Sequence, residues 1–217
     1  LNNIKRIRFG SLEPHMMTDE IIAELADNKR ICRQFHLSLQ SGSDTVLERM
    51  RRGYTSGQYF ELCQKLRRAF GGETAVTTDI IAGFPGETEE DYLQTEALVK
   101  EADFASAFTF VYSRRSGTKA AEMENQIPEE VSKNRIIRLV ELVNSKTREK
   151  SEKYVGKTVE ILCEDYDEKK KTYLGRDEFG RMAYFPYPHN LIGKFVSVHV
   201  NSANGISLTG DVVAVED

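Results

Sequence analysis

The sequence predicts an α/β region of about four parallel strands with helices, followed by a small all-β barrel. In the α/β region, short apolar or alternating segments precede helical segments, with about 25–40 residues per unit, which is typical of βαβ crossovers. In the last part, five alternating segments lie within about 60 residues and are separated by turn residues, which is typical of a small closed barrel. We expect the boundary after residue 153, which gives domains 1–153 and 154–217.

The individual elements follow from periodicity and capping residues. The four strands of the α/β region are predicted at residues 6–9, 35–39, 76–82 and 107–112. Thr18, Thr55 and Thr88 precede helical segments and are predicted N-caps, because a threonine oxygen accepts a hydrogen bond from the first helical turn. A long amphipathic helix follows residue 128 and ends in the polar run 146–153. The barrel strands are predicted at residues 158–163, 172–176, 182–185, 194–200 and 207–212.

Composition excludes several classes of protein. The 217 residues are 40% hydrophobic and 29% charged, which fits a globular protein with a core, and the net charge of −4 gives no overall basic character for nucleic acid. No apolar stretch approaches the ~18 residues that span a bilayer, so we expect no membrane partner. Cys32, Cys63 and Cys163 are spaced for neither a metal knuckle nor a disulfide framework, so we expect free thiols, no metal site and a reducing cytoplasm. His36 has no second ligand at a suitable spacing and is predicted to be structural or solvated.

One segment, residues 77–88, predicts a ligand-binding turn. An apolar strand leads into a Gly-Phe-Pro-Gly sequence, and a threonine followed by acidic residues then begins a helix. Such a turn at the carboxyl end of a parallel strand is where α/β proteins bind small molecules. Gly83 and Gly86 allow the backbone to approach a ligand closely, and Pro85 stiffens the turn. An ordinary connection between a strand and a helix is the alternative interpretation.

Five segments at or near strand ends occur in an order that resembles a known family. They are residues 11–14, 39–44, 50–55, 78–88 and 112–118. In this order they resemble the radical SAM methylthiotransferases, and the final OB-like barrel resembles the TRAM domain that ends those enzymes. Residues 8–14 and 117–123 are most similar to the branch that acts on threonylcarbamoyladenosine in tRNA. Sister branches act on isopentenyladenosine in tRNA or on a ribosomal protein.

The resemblance implies the fold, the cofactors and the partners. The α/β region would be the C-terminal part of a radical SAM (β/α) barrel. S-adenosylmethionine and two [4Fe-4S] clusters would serve the full-length enzyme, which generates a 5′-deoxyadenosyl radical and methylthiolates the adenosine. The partner would be the anticodon stem-loop of tRNA, and the enzyme would be a cytoplasmic monomer. This chain has no Cys-x-x-x-Cys-x-x-Cys, so we expect a fragment that is inactive alone and contains no catalytic residue.

The resemblance also implies an S-adenosylmethionine site. Its predicted residues are Glu13, Gln40, Ser41, Ser43, Arg52, Asp79, Gly83, Phe84, Pro85 and Ser113. Arg52 would pair with the methionyl carboxylate, a bidentate match, and Arg51 is the next candidate. Glu13 would bind the methionyl amine or the substrate, and its alternative is an ion pair with Arg6 or Arg8.

Polar groups at the next strand ends would hold the nucleoside. The amide of Gln40 and the hydroxyls of Ser41 and Ser43 suit ribose hydroxyls, although Ser43 is also placed to cap a helix. Asp79 and the turn around Phe84 match the family's adenine-side segment. There the backbone would hold the base by hydrogen bonds and apolar contact.

A second set of residues would contact substrate or RNA. Ser113 and Arg114 would face the substrate or the ribose, and Arg115 would face RNA phosphates. Phosphate contacts and base stacking in the small barrel are predicted for Lys169, Lys170, Lys171 and Tyr173. The alternative is a solvated turn over a barrel core. An RNA-binding module without catalysis, and another radical SAM class, are the competing functions.

Overall fold

The computed structural model describes residues 4–216, which divide into two compact units. The first, which we call the sheet unit, contains residues 9–29 and 35–146. The second, which we call the barrel unit, contains residues 1–8, 30–34 and 147–217, as far as they are described. The domain boundary predicted after residue 153 stays a prediction. In the described part of the chain, no helix is long and apolar enough to cross a membrane.

Four parallel strands form the sheet, in the order β1-β2-β3-β4. They are β1 Ser11–Leu12, β2 Gln34–Leu37, β3 Ala75–Ala82 and β4 Ser106–Val111. Ser11 lies opposite His36, and Asp79 lies opposite Phe108. The predicted region of four parallel strands with helices is therefore confirmed.

The first strand lies later in the chain than predicted. The strand begins at Ser11, and the predicted strand 6–9 contributes only an isolated parallel bridge between Ile7 and Ile31. Arg6 of that segment donates to the Arg176 carbonyl at 3.1 Å, and its guanidinium lies 4.6 Å from the centroid of the Phe195 ring. Both partners belong to the barrel unit. The alternation around Arg6 therefore reflects side-chain contacts and one backbone bridge inside the barrel unit, not a strand of the four-stranded sheet.

Helices follow the strands, as the alternating pattern predicts. In residues 4–216 they are α1 Asp19–Asp27, α2 Asp44–Arg49, α3 Ser56–Ala69, α4 Glu89–Glu101, α5 Lys119–Glu122 and α6 Glu129–Glu152, with a 3₁₀ turn at Pro14–Met16. Thr18, Thr55 and Thr88 each accept a backbone N–H of the first helical turn, which confirms the predicted N-caps. Such a cap contributes about 1 kcal/mol. α6 ends at Glu152, inside the polar run 146–153 where its end was predicted.

The core of the sheet unit contains side chains from strands and helices. Its largest fully buried side chains are Tyr59, Tyr92, Phe35, Leu37, Leu39, Leu47, Leu66, Ile80 and Leu139. The Tyr59 hydroxyl donates to the Leu37 carbonyl and the Tyr92 hydroxyl to the Arg135 carbonyl, both at 2.8 Å. Because both phenols are satisfied, two bulky polar side chains bury their rings without an unpaired group.

The barrel unit contains a closed barrel of five strands, in the order β5-β6-β7-β9-β8. The strands are β5 Thr158–Asp167, β6 Thr172–Arg176, β7 Met182–Phe185, β8 Phe195–Asn204 and β9 Ser207–Val215. β7 and β9 pair in parallel and the other neighbours are antiparallel. A Cβ on Gly175 would lie 2.1 Å from the Leu162 carbonyl oxygen, so only glycine allows β5 and β6 to approach here. The predicted small β barrel is confirmed.

Candidate cofactor-binding site

The loops after the four parallel strands bring the predicted site residues to one edge of the sheet. Glu13 follows β1, Gln40 follows β2, Gly83 follows β3 and Ser113 follows β4. Because parallel strands share a direction, their carboxyl ends lie at the same edge, where open α/β sheets bind ligands. The candidate site is therefore this carboxyl edge.

Glu13 and Arg52 form an ion pair at the carboxyl edge. Arg52 Nη1 donates to both carboxylate oxygens of Glu13, at 3.1 and 3.2 Å. The Glu13 side chain is 46% exposed and that of Arg52 is 27% exposed, so both charges are accessible. The partner of Glu13 is thus Arg52, rather than the Arg6 or Arg8 left open by the sequence. Both groups can give up this internal pair to bind an amino acid. The Glu13 carboxylate would then bind the ammonium group and the Arg52 guanidinium the carboxylate.

Gln40 has an unusual backbone conformation at the end of β2. Its φ is 72°, a region that costs a non-glycine residue about 1–3 kcal/mol. Its N–H donates to the Asp79 carbonyl at 2.8 Å, and its own carbonyl accepts from the Ile81 N–H at 2.9 Å. Residues 4–216 supply no hydrogen bond to its side-chain amide. The two backbone bonds hold Gln40 in the strained conformation, and the side-chain amide stays available for a ligand.

Ser41 and Ser43 are fully buried and use their hydroxyls internally. The Ser41 oxygen lies 3.3 Å from Thr95 Oγ1 and accepts from the Ser43 N–H. The Ser43 hydroxyl donates to Asp91 Oδ1 at 2.5 Å and accepts from the Val46 N–H at the start of α2. Neither hydroxyl is exposed to a ligand. The predicted ribose contacts of Ser41 and Ser43 stay predictions, and the capping alternative for Ser43 is present in the structure.

Asp79 belongs to a polar cluster on one face of the sheet. Its Oδ2 accepts from Ser38 Oγ at 2.9 Å and lies 3.0 Å from His36 Nε2. The other ring nitrogen of His36 lies 3.0 Å from Thr77 Oγ1. Sequence reasoning missed this pairing of His36 with Asp79. The alternation of β2 and β3 could have indicated it, because His36, Thr77 and Asp79 occupy alternate positions of neighbouring strands.

The turn after β3 is buried. Gly83 has φ 78° and Gly86 φ 77°, which explains the two glycines. The Phe84 ring is 7% exposed and meets the Tyr112 ring edge-on, with 5.3 Å between centroids. Pro85 is also buried. The side chains thus pack inward and leave the backbone of the turn to meet a ligand, and the predicted adenine contact stays a prediction.

Glu87 fixes the turn from within, and sequence reasoning did not identify it. Its Oε2 accepts from the Gly83 N–H at 2.7 Å and from Arg135 Nη1 at 2.8 Å. The side chains of Glu87 and Arg135 are 1% and 5% exposed. Burial raises the pKa of the Glu87 carboxyl above its ordinary value, against the opposing effect of its hydrogen bonds. Arg135 lies 48 residues along the chain from Glu87, so no local pattern pointed to it.

The last strand ends in an exposed polar loop. Ser113, Arg114 and Arg115 are all exposed, and the Arg115 carbonyl accepts from the Thr118 hydroxyl at 2.8 Å. Beside them, the Tyr112 hydroxyl is buried and has no hydrogen-bond partner in the described part of the chain. An unpaired buried hydroxyl costs about 1–3 kcal/mol. The carboxyl edge thus contains an unsatisfied polar atom next to Phe84, which sequence reasoning also missed.

The lysine turn (residues 169–171) lies at the tip of the hairpin formed by β5 and β6. All three lysines are exposed, and Asp167 Oδ1 accepts the N–H groups of Lys169 and Lys170 at 3.0 Å. The ammonium of Lys170 lies 5.6 Å from the centroid of the Tyr184 ring. Three accessible ammonium groups can contact phosphates.

Tyr173 does not fit its predicted stacking role. Its ring is 8% exposed and packs against Phe185 and Tyr166, with centroids 6.4 and 4.7 Å apart. It belongs to the barrel core, because β6 turns alternate side chains inward. The barrel-core alternative is therefore correct for Tyr173.

The described residues contain no group of three or more His, Cys, Asp or Glu side chains placed to hold a metal ion. Cys32, Cys63 and Cys163 are free and buried. Burial raises the pKa of Cys63 to about 12 and that of Cys163 to about 11, so both remain neutral thiols. These three separate, buried thiols do not fit an iron–sulfur cluster.

Comparison with known protein families identifies both units by class. Residues 1–99 match the family model of the Radical SAM superfamily, and residues 152–213 match that of the TRAM domain. Two separate parts of the chain are thus similar to these two families. S-adenosylmethionine and a [4Fe-4S] cluster are the cofactors that the first match implies for that superfamily.

Three curated relatives of this chain share one name. The tRNA-2-methylthio-N(6)-dimethylallyladenosine synthase of Clostridium novyi (strain NT) is 42% identical over 214 residues, which are 98% of this chain and 47% of that protein. That of Clostridium beijerinckii is 44% identical over 213 residues, with 98% and 47% covered. That of Saccharopolyspora erythraea is 53% identical over 142 residues, with 65% and 29% covered. The match covers nearly all of this chain, which spans about half the length of the two Clostridium relatives.

These names correct the branch predicted from the sequence. Residues 8–14 and 117–123 indicated the threonylcarbamoyladenosine branch, whereas the relatives are named for dimethylallyladenosine.

A solved structure supports the fold. Coproporphyrinogen III oxidase from Escherichia coli, described as a radical SAM enzyme, matches with a TM-score of 0.55 at 16% identity. The match covers 89% of this chain and 46% of that one. This likeness concerns the fold alone.

Proposed function

We propose that this chain is the cofactor-binding and RNA-binding part of a radical SAM methylthiotransferase that acts on N(6)-dimethylallyladenosine in tRNA. Dimethylallyladenosine is the isopentenyladenosine of the sequence-based alternative. The observation that carries the proposal is the match to the named relatives at 42% identity over 98% of the chain, through both units. We place the enzyme in the cytoplasm as a monomer, with the anticodon stem-loop as its RNA.

The carboxyl edge supports S-adenosylmethionine as the ligand. The Glu13–Arg52 pair offers an accessible carboxylate and guanidinium for the methionyl ammonium and carboxylate. The Gln40 amide is free to meet the ribose, and the turn at Gly83 lets backbone approach the adenine. When bound, S-adenosylmethionine supplies the radical that activates a C–H bond and the methyl group that is transferred. The residues of this chain bind and orient it.

The exposed basic residues support contact with RNA. Arg114 and Arg115 follow β4 at the candidate site, and the lysine turn adds three ammonium groups in the barrel unit. Residues 154–217 contain 7 Lys and Arg against 10 Asp and Glu. The contact is therefore local, and we expect it to weaken strongly with salt.

Nucleoside analysis of tRNA tests the proposal. We expect deletion of the gene to abolish the 2-methylthio derivative of dimethylallyladenosine and to leave the unmodified precursor, and the wild-type gene to restore it. Arg52→Lys in the restored gene should lower the product at least tenfold, because lysine does not reproduce the guanidinium fork. Arg51→Lys is the matched control at the neighbouring position and should restore wild-type levels.

Each other outcome contradicts a distinct part of the proposal. Loss of a methylthio group from threonylcarbamoyladenosine would overturn the substrate. An unchanged nucleoside profile would overturn the enzymatic function and favour an RNA-binding module or a protein substrate. Equal effects of the two arginine substitutions would overturn the placement of the methionyl group.

A further inference from the structure

The turn after β3 is tied to α6 by a buried arginine. Arg135 Nη1 donates to Glu87 Oε2 at 2.8 Å and to the Glu87 carbonyl at 3.1 Å. Arg135 Nε donates to Glu89 Oε2 at 3.2 Å. One guanidinium thus holds a side chain and the backbone at the end of the turn together with the first residue of α4.

The same helix contacts the beginning of the turn. Ser132 lies one turn before Arg135 in α6 and is 4% exposed. A Cβ on Gly83 would lie 2.3 Å from Ser132 Oγ, so the glycine backbone packs directly against this side chain. The Gly83 N–H in turn donates to the Glu87 oxygen that Arg135 holds. Residues of α6 therefore contact both ends of the turn and hold them in place.

A buried ion pair is a costly way to hold a helix against a turn. Removing two charges from water costs several kcal/mol per ion, and apolar side chains of similar volume often pack as well or better. What the guanidinium adds is direction, because its donors fix several acceptors in one plane. The guanidinium of Arg135 is therefore suited to fixing the position of the backbone atoms of the turn.

We propose that Arg135 is a positioning residue for the cofactor: through Glu87, it fixes the backbone of residues 83–87 where the adenine of S-adenosylmethionine is bound. This inference rests on the proposed function for the identity of the ligand. The contact between Arg135 and the turn does not depend on it. Loss of Arg135 should loosen the turn and weaken cofactor binding, without touching the reacting atoms.

The first measurement is amide hydrogen exchange at Gly83 in the unliganded protein. Arg135→Lys keeps the charge but cannot serve the same acceptors in one plane, so we expect the Gly83 amide to exchange at least tenfold faster. Arg138→Lys is the matched control, one turn further along α6. Arg138 pairs with Glu89 and Glu96 and has no bond to Glu87, so its substitution should leave exchange at Gly83 unchanged.

The second measurement is the kinetics of the cluster-loaded full-length enzyme. Arg135→Lys should raise KM for S-adenosylmethionine at least tenfold and change kcat less than twofold, because the turn binds the cofactor away from the reacting atoms. If that variant does not fold, the double variant Glu87→Gln with Arg135→Met removes both buried charges and keeps an acceptor for the Gly83 N–H. It should fold and show the same rise in KM.

The outcomes separate this inference from the proposed function. A wild-type gene that supports no methylthiolated nucleoside contradicts the function, while exchange at Gly83 still measures the contact. A folded Arg135 variant with wild-type exchange and wild-type KM overturns the inference. Equal changes in the Arg135 and Arg138 variants overturn it too, since the effect would then belong to α6 as a whole.

Discussion

Two turns of this protein are held in opposite ways. The turn at residues 83–87 is buried, and its partners come from distant parts of the chain: Arg135 lies 48 residues from Glu87, and Arg49 Nη1 donates to the Gly86 carbonyl from 37 residues away. The lysine turn is exposed, and Asp167 organises it from two and three residues away. The first is fixed by tertiary structure and the second by its own sequence.

The difference indicates what each turn can do. A buried turn with long-range bonds has one conformation and can present backbone atoms to a small ligand at fixed positions. An exposed turn with local bonds keeps its charges in water and can contact a flexible polyanion without a fixed geometry. Substitutions in the buried turn should therefore change stability, whereas substitutions in the lysine turn should change only binding.

The largest effect is expected beneath the lysine turn. Tyr173→Ala removes a buried ring from the barrel core and should lower the free energy of unfolding by about 3–5 kcal/mol. Tyr184→Ala is the matched control, because Tyr184 is half-buried on the next strand and should cost less than about 1 kcal/mol. Urea unfolding measures both. A stable Tyr173→Ala protein with weakened RNA binding would restore the stacking role that the sequence predicted.

The next effect concerns the buried turn. Gly83→Ala combines a φ of 78° with a Cβ that would lie 2.3 Å from Ser132 Oγ, and we expect a loss of about 3 kcal/mol from strain and overpacking together. Gly117→Ala is the control for backbone strain alone, since Gly117 has φ 80° with nothing within 4 Å of a Cβ. It should cost about 1 kcal/mol. Equal losses by thermal or urea unfolding would show that the α6 contact does not constrain the turn.

A pH effect of opposite sign at two neighbouring glutamates is expected next. Burial raises the folded pKa of Glu87, so its contribution to stability falls as pH rises above 4.5 through the folded pKa. The Arg138 hydrogen bond lowers the pKa of Glu89, so its contribution is present above 4.5 and is lost as pH falls through the folded pKa.

Urea unfolding between pH 3 and pH 7 measures this effect. Relative to wild type, Glu87→Gln should gain stability as pH rises and Glu89→Gln should lose it. Parallel pH profiles for the two variants would contradict the difference in burial between these carboxylates.

The smallest effect on stability is expected in the lysine turn itself. Replacing Lys169, Lys170 and Lys171 together by Ala should change the free energy of unfolding by less than about 0.5 kcal/mol, because exposed substitutions away from packed features cost little. Binding of a tRNA anticodon stem-loop should weaken, with a shallower dependence on salt. An unchanged salt slope would remove the lysine turn from the RNA surface.

Much of the fold could be predicted because it depends on local pattern. The strand periodicity, the threonine caps and the glycine positions around residue 83 each act within a few residues, and the structure agrees with them. The first strand was misplaced because the alternation around Arg6 serves contacts within the barrel unit. Pattern alone does not tell which partner an alternating segment has.

The candidate site was predictable in outline, and its internal bonds were not. Glu13 and Arg52 were both identified, but their pairing depends on where two loops meet. The sequence also did not predict the burial of Ser41, Ser43 and Tyr173. The same polar residue type occurs where the side chain bonds a ligand and where it bonds the protein interior.

By itself, the sequence determined the order of strands and helices, the turn that follows β3 and the two kinds of domain, since periodicity, capping and glycine conformations are local properties. Tertiary structure alone decided which charges are paired and buried. Arg135 reaches Glu87, and His36 lies against Asp79, only because the chain brings distant segments within hydrogen-bond distance. Those contacts give the buried turn its single conformation, and the exposed lysine turn did not require them.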